Sequence, residues 1–220
     1  MELVYDYKEG SGIFIQVGAG AGDLDERAGN HDGFTEFIKS LPRDRIKQIC
    51  LVEPNPINIP SLTKCWAEFP EATIHQIAIV PETMRGKSLE IFYCPEDAPH
   101  YQIASINLAH VKKHYGESCE IRSFQIETKT IREFIQETVK GKIELLALDI
   151  EGIDADVLLD LKLDELPVRF ISFEHLHLGE KKNLVWKHFM KHNFIFRGRG
   201  CDHNGFDSLF EKLKSPGDSI

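Results

Sequence analysis

Apolar runs of strand length recur at 13–18, 48–53, 73–80, 143–150, 168–174 and 193–197, and most are separated by segments with helical spacing such as FTEFIKSL, SLTKCWAEF, VLLDLKL and LVWKHFMKH. Strands that alternate with helices predict right-handed crossovers and therefore an α/β fold with a doubly wound, mostly parallel sheet. Runs such as IELLALDI are apolar almost throughout, as strands covered on both faces must be. With 220 residues, 42% of them hydrophobic, the chain has enough material for one core and too little for two, so a single domain over 1–220 is expected.

Two stretches break the alternation. An insertion from about 82 to 139 separates the third and fourth core strands; it holds a hairpin arm SLEIFYC, a polar loop PEDAPHYQ, a helix near INLAHVKKHY and a strand IRSFQIET. Insertions at loop ends of such sheets build lids and substrate pockets, and this one is equally suited to serve as a dimer arm for a homo-oligomer. Near the C-terminus, FIFRGRGCDHNGFDSLF offers two short strands joined by a turn-rich GRGCDHNG, which predicts an antiparallel hairpin closing the sheet. The last residues, KSPGDSI, read as a frayed tail.

Charge and cysteines narrow the function classes. A formal net charge of −9 argues against a phosphate-backbone partner, because a nucleic-acid footprint needs a concentrated basic surface, and the densest basic runs, HVKKH and EKKN, read as solvated helix faces. The longest apolar stretches fall far short of the roughly 20 residues of a membrane span, and residues 1–12 are polar and acidic, unlike a signal peptide. The cysteines at 50, 65, 94, 119 and 201 lie far apart with no C-x-x-C pair, which predicts reduced structural thiols and a cytoplasmic setting.

The first strand runs into Gly18, Gly20 and Gly22 within FIQVGAGAGDLD, a tight turn at a strand end. A dinucleotide fingerprint needs G-x-G-x-x-G, and its third glycine position is occupied here by Asp23, with Asp25 and Glu26 beyond it; these carboxylates would repel a pyrophosphate. An NAD(P)-binding oxidoreductase therefore stands as the alternative rather than the leading reading. A ligand with an adenosine and a sulfonium cation, S-adenosylmethionine, turns the acids into an advantage. Glu53 in CLVEP sits at the end of the next strand, where an acid accepts both ribose hydroxyls.

At the fourth strand end, LALDIEG places Asp149 and Glu151 on one side, since residues two apart in a strand share a face. The fifth strand, FISFEHLHL, delivers Glu174, His175 and His177 to the same sheet edge, a constellation suited to acid/base chemistry on a substrate hydroxyl. Asp149 has a second reading as an acid near the N-terminus of the following helix. A divalent metal could be built from Asp149, Glu151 and His175 or Glu174, but no ligand spacing enforces it and metal is not favoured. His110 and His114 have the spacing of a zinc helix without the Glu of H-E-x-x-H and read as surface histidines, as do His188 and His192.

The pieces IQVGAGAGD, LVEPNP, IHQIAIV, QIASIN, LLALDIEGIDADVL and FISFEH, in this order and spacing, resemble the FkbM family of S-adenosylmethionine-dependent methyltransferases from about Phe14 to Leu178. The resemblance implies a seven-stranded Rossmann-like methyltransferase sheet and methyl transfer to an oxygen, commonly a hydroxyl of a sugar or another small molecule. It implies that Gly18, Gly20 and Gly22 line the methionine and ribose side of the cofactor, that Glu53 holds the ribose diol, that Ala78 meets the adenine, and that Ser105 and Asn107 border the cofactor. Asp149, Glu151 and His175 would face the acceptor, with His175 or a carboxylate as base and Asp149 also within reach of the cofactor. Gln16 stands where methyltransferases often carry an acid, and DLDERAGNHDG makes a long charged link before the first helix. A methyltransferase-like domain that has lost activity and serves as an interaction module is the non-catalytic alternative.

Overall fold

The computed structural model describes residues 12–24, 32–97, 104–150, 152–201 and 205–213. In chain order its elements are β1 (Gly12–Val17), α1 (Gly33–Ser40), β2 (Ile46–Val52), α2 (Ile59–Cys65), β3 (Ala72–His75), β4 (Ala78–Ile79), β5 (Leu89–Tyr93), α3 (Leu108–Tyr115), β6 (Arg122–Ile126) and β7 (Thr128–Lys129). There follow α4 (Ile131–Thr138), β8 (Ile143–Leu148), α5 (Asp154–Asp160), β9 (Val168–Glu174), α6 (Lys182–Lys191), β10 (Phe194–Arg199) and β11 (Asp207–Lys212).

Seven strands form one sheet in the order β10-β11-β9-β8-β1-β2-β3. All run parallel except β11, which is antiparallel to both of its neighbours. The strand alternation of β1 divides the core: Ile13, Ile15 and Val17 face a layer built by α4, α5 and α6, while Phe14 faces α1 and α2. Both faces are covered, which is why β1 and β8 are buried along their whole length. The doubly wound, seven-stranded Rossmann-like sheet and the antiparallel C-terminal pair are thus as expected from the sequence.

Local signals place the helices. Asp32 caps α1 by accepting from the Thr35 amide at 3.1 Å, Asn107 caps α3 through the Ala109 and His110 amides, and α4 opens on a reciprocal Thr130–Glu133 capping box. Among the described residues no helix is long and apolar enough to cross a membrane.

The apolar run at 73–80 does not form one strand. The chain turns after His75, where the Ile77 amide donates to the His75 carbonyl at 3.1 Å, and Ala78–Ile79 pairs instead with Thr128–Lys129 in a separate two-stranded sheet. The first half is the half-exposed edge strand of the main sheet, whereas Ala78 and Ile79 are buried. Within the insertion, β5 and β6 pair antiparallel and Ser105 bridges to Phe92. The helix α4 packs Ile131, Phe134 and Ile135 into the main core, so the inserted part proper ends near 129. The loop residues 98–103 lie outside the described residues.

The expectation of five reduced thiols is corrected: Cys94 and Cys119 form a disulfide, whereas Cys50, Cys65 and Cys201 are free and buried. The pairing spans 25 residues of sequence, and only the fold-back of the arm brings the end of β5 to the loop after α3.

Candidate functional site

The turn after β1 stays stitched to β2, since the Gly18 and Ala19 amides both donate to the Val52 carbonyl, at 2.9 and 3.0 Å. Gly18, Gly20 and Gly22 all have positive φ, but for different reasons. A Cβ on Gly18 would lie 1.7 Å from the Asp149 carbonyl oxygen, and one on Gly22 would lie 2.9 Å from Cys65 Sγ, whereas one on Gly20 would meet nothing within 4 Å among the described residues. Gly18 therefore lets the ends of β1 and β8 close on each other, Gly22 lets the turn seat on α2, and Gly20 faces open space.

Glu53 follows β2 directly. Its Oε2 accepts from the Gly20 amide at 2.8 Å, and its Oε1 accepts from the Asn55 amide at 2.8 Å and from Asn58 Nδ2 at 3.2 Å. The residue is buried, and burial pushes its carboxyl above the usual glutamate range against the pull of these three donors. One side chain thus ties the glycine turn of β1 to the end of β2.

A second acid, the partly buried Asp32, is one that the sequence pattern did not single out. Asp32 accepts from Gln16 Nε2 at 3.0 Å, and its other oxygen takes both the amide and the hydroxyl of Thr35. Burial raises its carboxyl as well. Gln16 thus hydrogen-bonds an acid delivered by the cap of α1, whose signal is the Asp-x-x-Thr cap spacing ahead of an amphipathic run. Gln16 Oε1 is buried with no hydrogen-bond partner among the described residues.

At the end of β8 the Asp149 amide donates to the Val17 carbonyl at 3.0 Å, and its side chain leaves the sheet at an exposed position. The following loop is held by Asp154, whose carboxylate accepts from the Ile150 amide at 2.7 Å and the Gly152 amide at 3.4 Å. Asp154 is buried and its carboxyl is raised by burial; the helix-terminal acid offered as the second reading of Asp149 is therefore Asp154. Glu151 lies outside the described residues.

His175 follows β9. Its amide donates to the Phe206 carbonyl and its Nδ1 lies 2.9 Å from Ser208 Oγ, so the ring is tied to β11. Burial, then Lys182, lowers its pKa below the ordinary histidine value. In the insertion, the Ser105 hydroxyl accepts from the Asn107 amide at 3.2 Å and stands 3.5 Å from where a Cβ of Gly152 would sit. The insertion thereby reaches the β8–α5 loop. Ala78 is buried in a small apolar cluster with Ile91 and Ile126. The structure thus places Gly18, Gly20, Glu53 and Asp149 at neighbouring strand ends, brings Ser105 to the loop after β8 and ties His175 to β11. A separate cavity of about 650 Å³, lined by Val80, Ile131, Val157 and Leu166, opens near Gly141 and Pro167, at the opposite strand ends.

The sequence of residues 16–212 matches the family described as Methyltransferase FkbM domain. The chain belongs to the FkbM methyltransferase family. No curated protein matches it in sequence. Among solved structures, a methyltransferase FkbM from Methylobacillus flagellatus KT superposes with a TM-score of 0.53 at 13% identity, over 91% of this chain and 43% of that one. This FkbM chain therefore spans less than half the length of that relative. An Aeropyrum pernix fibrillarin in complex with natively bound S-adenosyl-L-methionine gives a TM-score of 0.45 at 11% identity, covering 96% of this chain and 69% of the other. A TrmK of M. capricolum in complex with S-adenosyl-homocysteine gives 0.43 at 12% identity, covering 96% and 66%.

Proposed function

We propose that this FkbM-family chain transfers a methyl group from S-adenosylmethionine to a hydroxyl oxygen of a small molecule or saccharide. The observation that carries the reading is the Glu53–Gly20 hydrogen bond, which joins an acid at the end of β2 to an open glycine at the end of β1. A carboxylate has about four acceptor positions, and Glu53 spends three on its own loops, so a ribose hydroxyl has an acceptor left to meet. Gln16 Oε1, buried and without a partner among the described residues, offers a further acceptor for an ammonium group. Gly20 leaves room for a ligand to approach the backbone. The residues therefore fit the cofactor.

When bound, S-adenosylmethionine supplies a methyl group on a positively charged sulfur. The chain's own contribution is alignment and proton removal. Holding two reactants in attack geometry lowers a barrier by up to roughly 7–11 kcal/mol, and a positioned base adds about 10²–10⁴-fold. His175 is suited to the second task because burial lowers its pKa and favours the neutral ring, and in the tautomer whose Nδ1–H donates to Ser208 Oγ its Nε2 is the atom that takes a proton. Asp149 at the neighbouring strand end, with Glu151 after it, would orient the acceptor, and Ser105 and Asn107 would border the cofactor. Ala78 keeps a place in this reading only as part of the wall behind β3.

Nothing in the reading calls for a metal at Asp149 or for a nucleic-acid partner. A cytoplasmic setting fits the three free thiols, while the Cys94–Cys119 disulfide fits an oxidising compartment. Calorimetric titration with S-adenosylmethionine, S-adenosylhomocysteine and NAD tests the assignment. Saturable binding of the two sulfur nucleosides, weakened in Glu53→Gln, is the expected result; binding of NAD alone, or of none, overturns it.

A further inference from the structure

Three helices of this fold open on a side chain that accepts from their first amides: Asp32 for α1, Asn107 for α3 and Thr130 for α4. Asn58 holds the same place before α2 and makes no such bond. Its backbone is already helical, with φ −78° and ψ −25°, whereas the other three caps are extended. Asn58 Nδ2 turns instead to Glu53 and donates to Oε1 at 3.2 Å. Its Oδ1 is buried with no hydrogen-bond partner among the described residues. A residue type that normally caps a helix has given up that bond, and carries an unpaired amide oxygen in the interior, in order to face one carboxylate.

We propose that Asn58 is a positioning residue for the nucleoside site, whose amide fixes the plane of the Glu53 side chain, with Oε2 beside Gly20, and keeps it available as a carboxylate for ligand hydroxyls. The proposal rests on the reading of Glu53 as the ribose acceptor. The three donors on Glu53 divide the work. The Gly20 and Asn55 amides belong to the backbone of two turns, and Asn55 is tied down further because its Oδ1 accepts from the Ile57 amide at 3.1 Å. Asn58 Nδ2 is the one side-chain donor on Glu53 among the described residues. Burial pushes the Glu53 carboxyl up and these donors pull it down. Removing a donor that pairs with the charged form leaves burial less opposed.

A helix-capping role and a positioning role make opposite demands on this residue. Aspartate caps a helix as well as asparagine does, so a cap tolerates Asn58→Asp. A donor to Glu53 does not tolerate it, because the change sets a second carboxylate against the first and lifts its titration. Titratable groups on the elements around Glu53 are Asp23 in the glycine turn, Asp32 behind Gln16, Cys65 in α2, His75 at the end of β3 and Asp149 at the end of β8. Every Asn58 variant keeps all of them. A titration that moves with Asn58 and vanishes in Glu53→Gln therefore belongs to Glu53.

The test follows the Glu53 carboxyl by carbon-13 NMR in the ligand-free protein, assigned by the signal missing from Glu53→Gln, and titrates S-adenosylhomocysteine by calorimetry over the same pH range. Asn58→Ala should move the carboxyl titration to higher pH and carry the rise in nucleoside affinity with it. Affinity should fall roughly 10-fold inside that window, as for one hydrogen bond to a charged group, and recover towards the unaltered value above it. Asn58→Asp should displace both at least as far. Circular dichroism establishes folding, and the two variants are read independently should one fail to fold. A carboxyl titration that stays in place in Asn58→Ala overturns the role. So does an Asn58→Asp protein that matches the unaltered one in both measurements, which would return Asn58 to the frame of α2. Absence of S-adenosylhomocysteine binding in the unaltered protein overturns the nucleoside reading of Glu53, while a displaced carboxyl titration then still supports Asn58 as the group that holds it.

Discussion

Glu53 is a carboxyl on which burial and hydrogen bonding pull in opposite directions, and burial wins. A carboxyl raised in the folded state stabilises the fold while protonated, and that contribution is lost as pH rises through the raised value. Ribose hydroxyls donating to the carboxylate would lower the same pKa, so nucleoside binding should strengthen as pH rises through a window above the ordinary glutamate range. Isothermal titration of S-adenosylhomocysteine across that window checks this. Glu53→Gln should flatten the pH dependence and weaken binding roughly 10- to 100-fold, the equivalent of 1.5–3 kcal/mol for hydrogen bonds to a charged group; an unchanged pH profile in the variant would sink the role. The glycines separate just as sharply. Gly18→Ala drives a methyl group into a backbone oxygen and should cost more than about 3 kcal/mol, read as loss of soluble folded protein. Gly20→Ala meets no atom within 4 Å and carries only the left-handed backbone penalty of about 1–2 kcal/mol, so it should fold and show its defect in nucleoside binding.

Among the elements, the inserted segment behaves as a unit with its own supports. It has a two-stranded sheet, the small cluster of Ala78, Ile91 and Ile126, and one disulfide. Closing a loop of this length removes roughly 3 kcal/mol of freedom from the opened chain. The Cys94→Ser/Cys119→Ser variant should therefore lose hydrogen-exchange protection at the Phe92, Ser105 and Val111 amides while β1 and β8 keep theirs. Equal loss across both would mean that the insertion and the main sheet open as one cooperative unit. α4 belongs to the other side of this division despite its place in sequence, because its Ile131, Phe134 and Ile135 face the main core.

At the scale of the whole molecule, a net charge of −9 supports the proposal of a small hydroxyl acceptor over a nucleic acid. A protein that neutralises phosphates releases counterions, and its affinity falls steeply with salt. Fluorescence anisotropy with a labelled RNA hairpin should show no salt-dependent binding at physiological ionic strength; a steep salt slope would move the acceptor from a small hydroxyl compound to nucleic acid.

What could be read directly from the residues was whatever depends on local pattern. Alternating apolar runs and helical spacings determined a doubly wound sheet, the glycine run marked the β1 turn, and CLVEP put Glu53 at the next strand end, because periodicity and strand ends are properties of short segments. The structure alone decided which segments meet. It split the run at 73–80, since a strand-forming segment looks alike whichever partner strand it pairs with. It joined Cys94 to Cys119 across 25 residues, set Asp32 beside Gln16, made Asp154 the acid that holds the β8–α5 loop, and brought His177 to His110 and His114. Each of these depends on chain reversal over tens of residues, where loop closure and packing, not local preference, choose the neighbour.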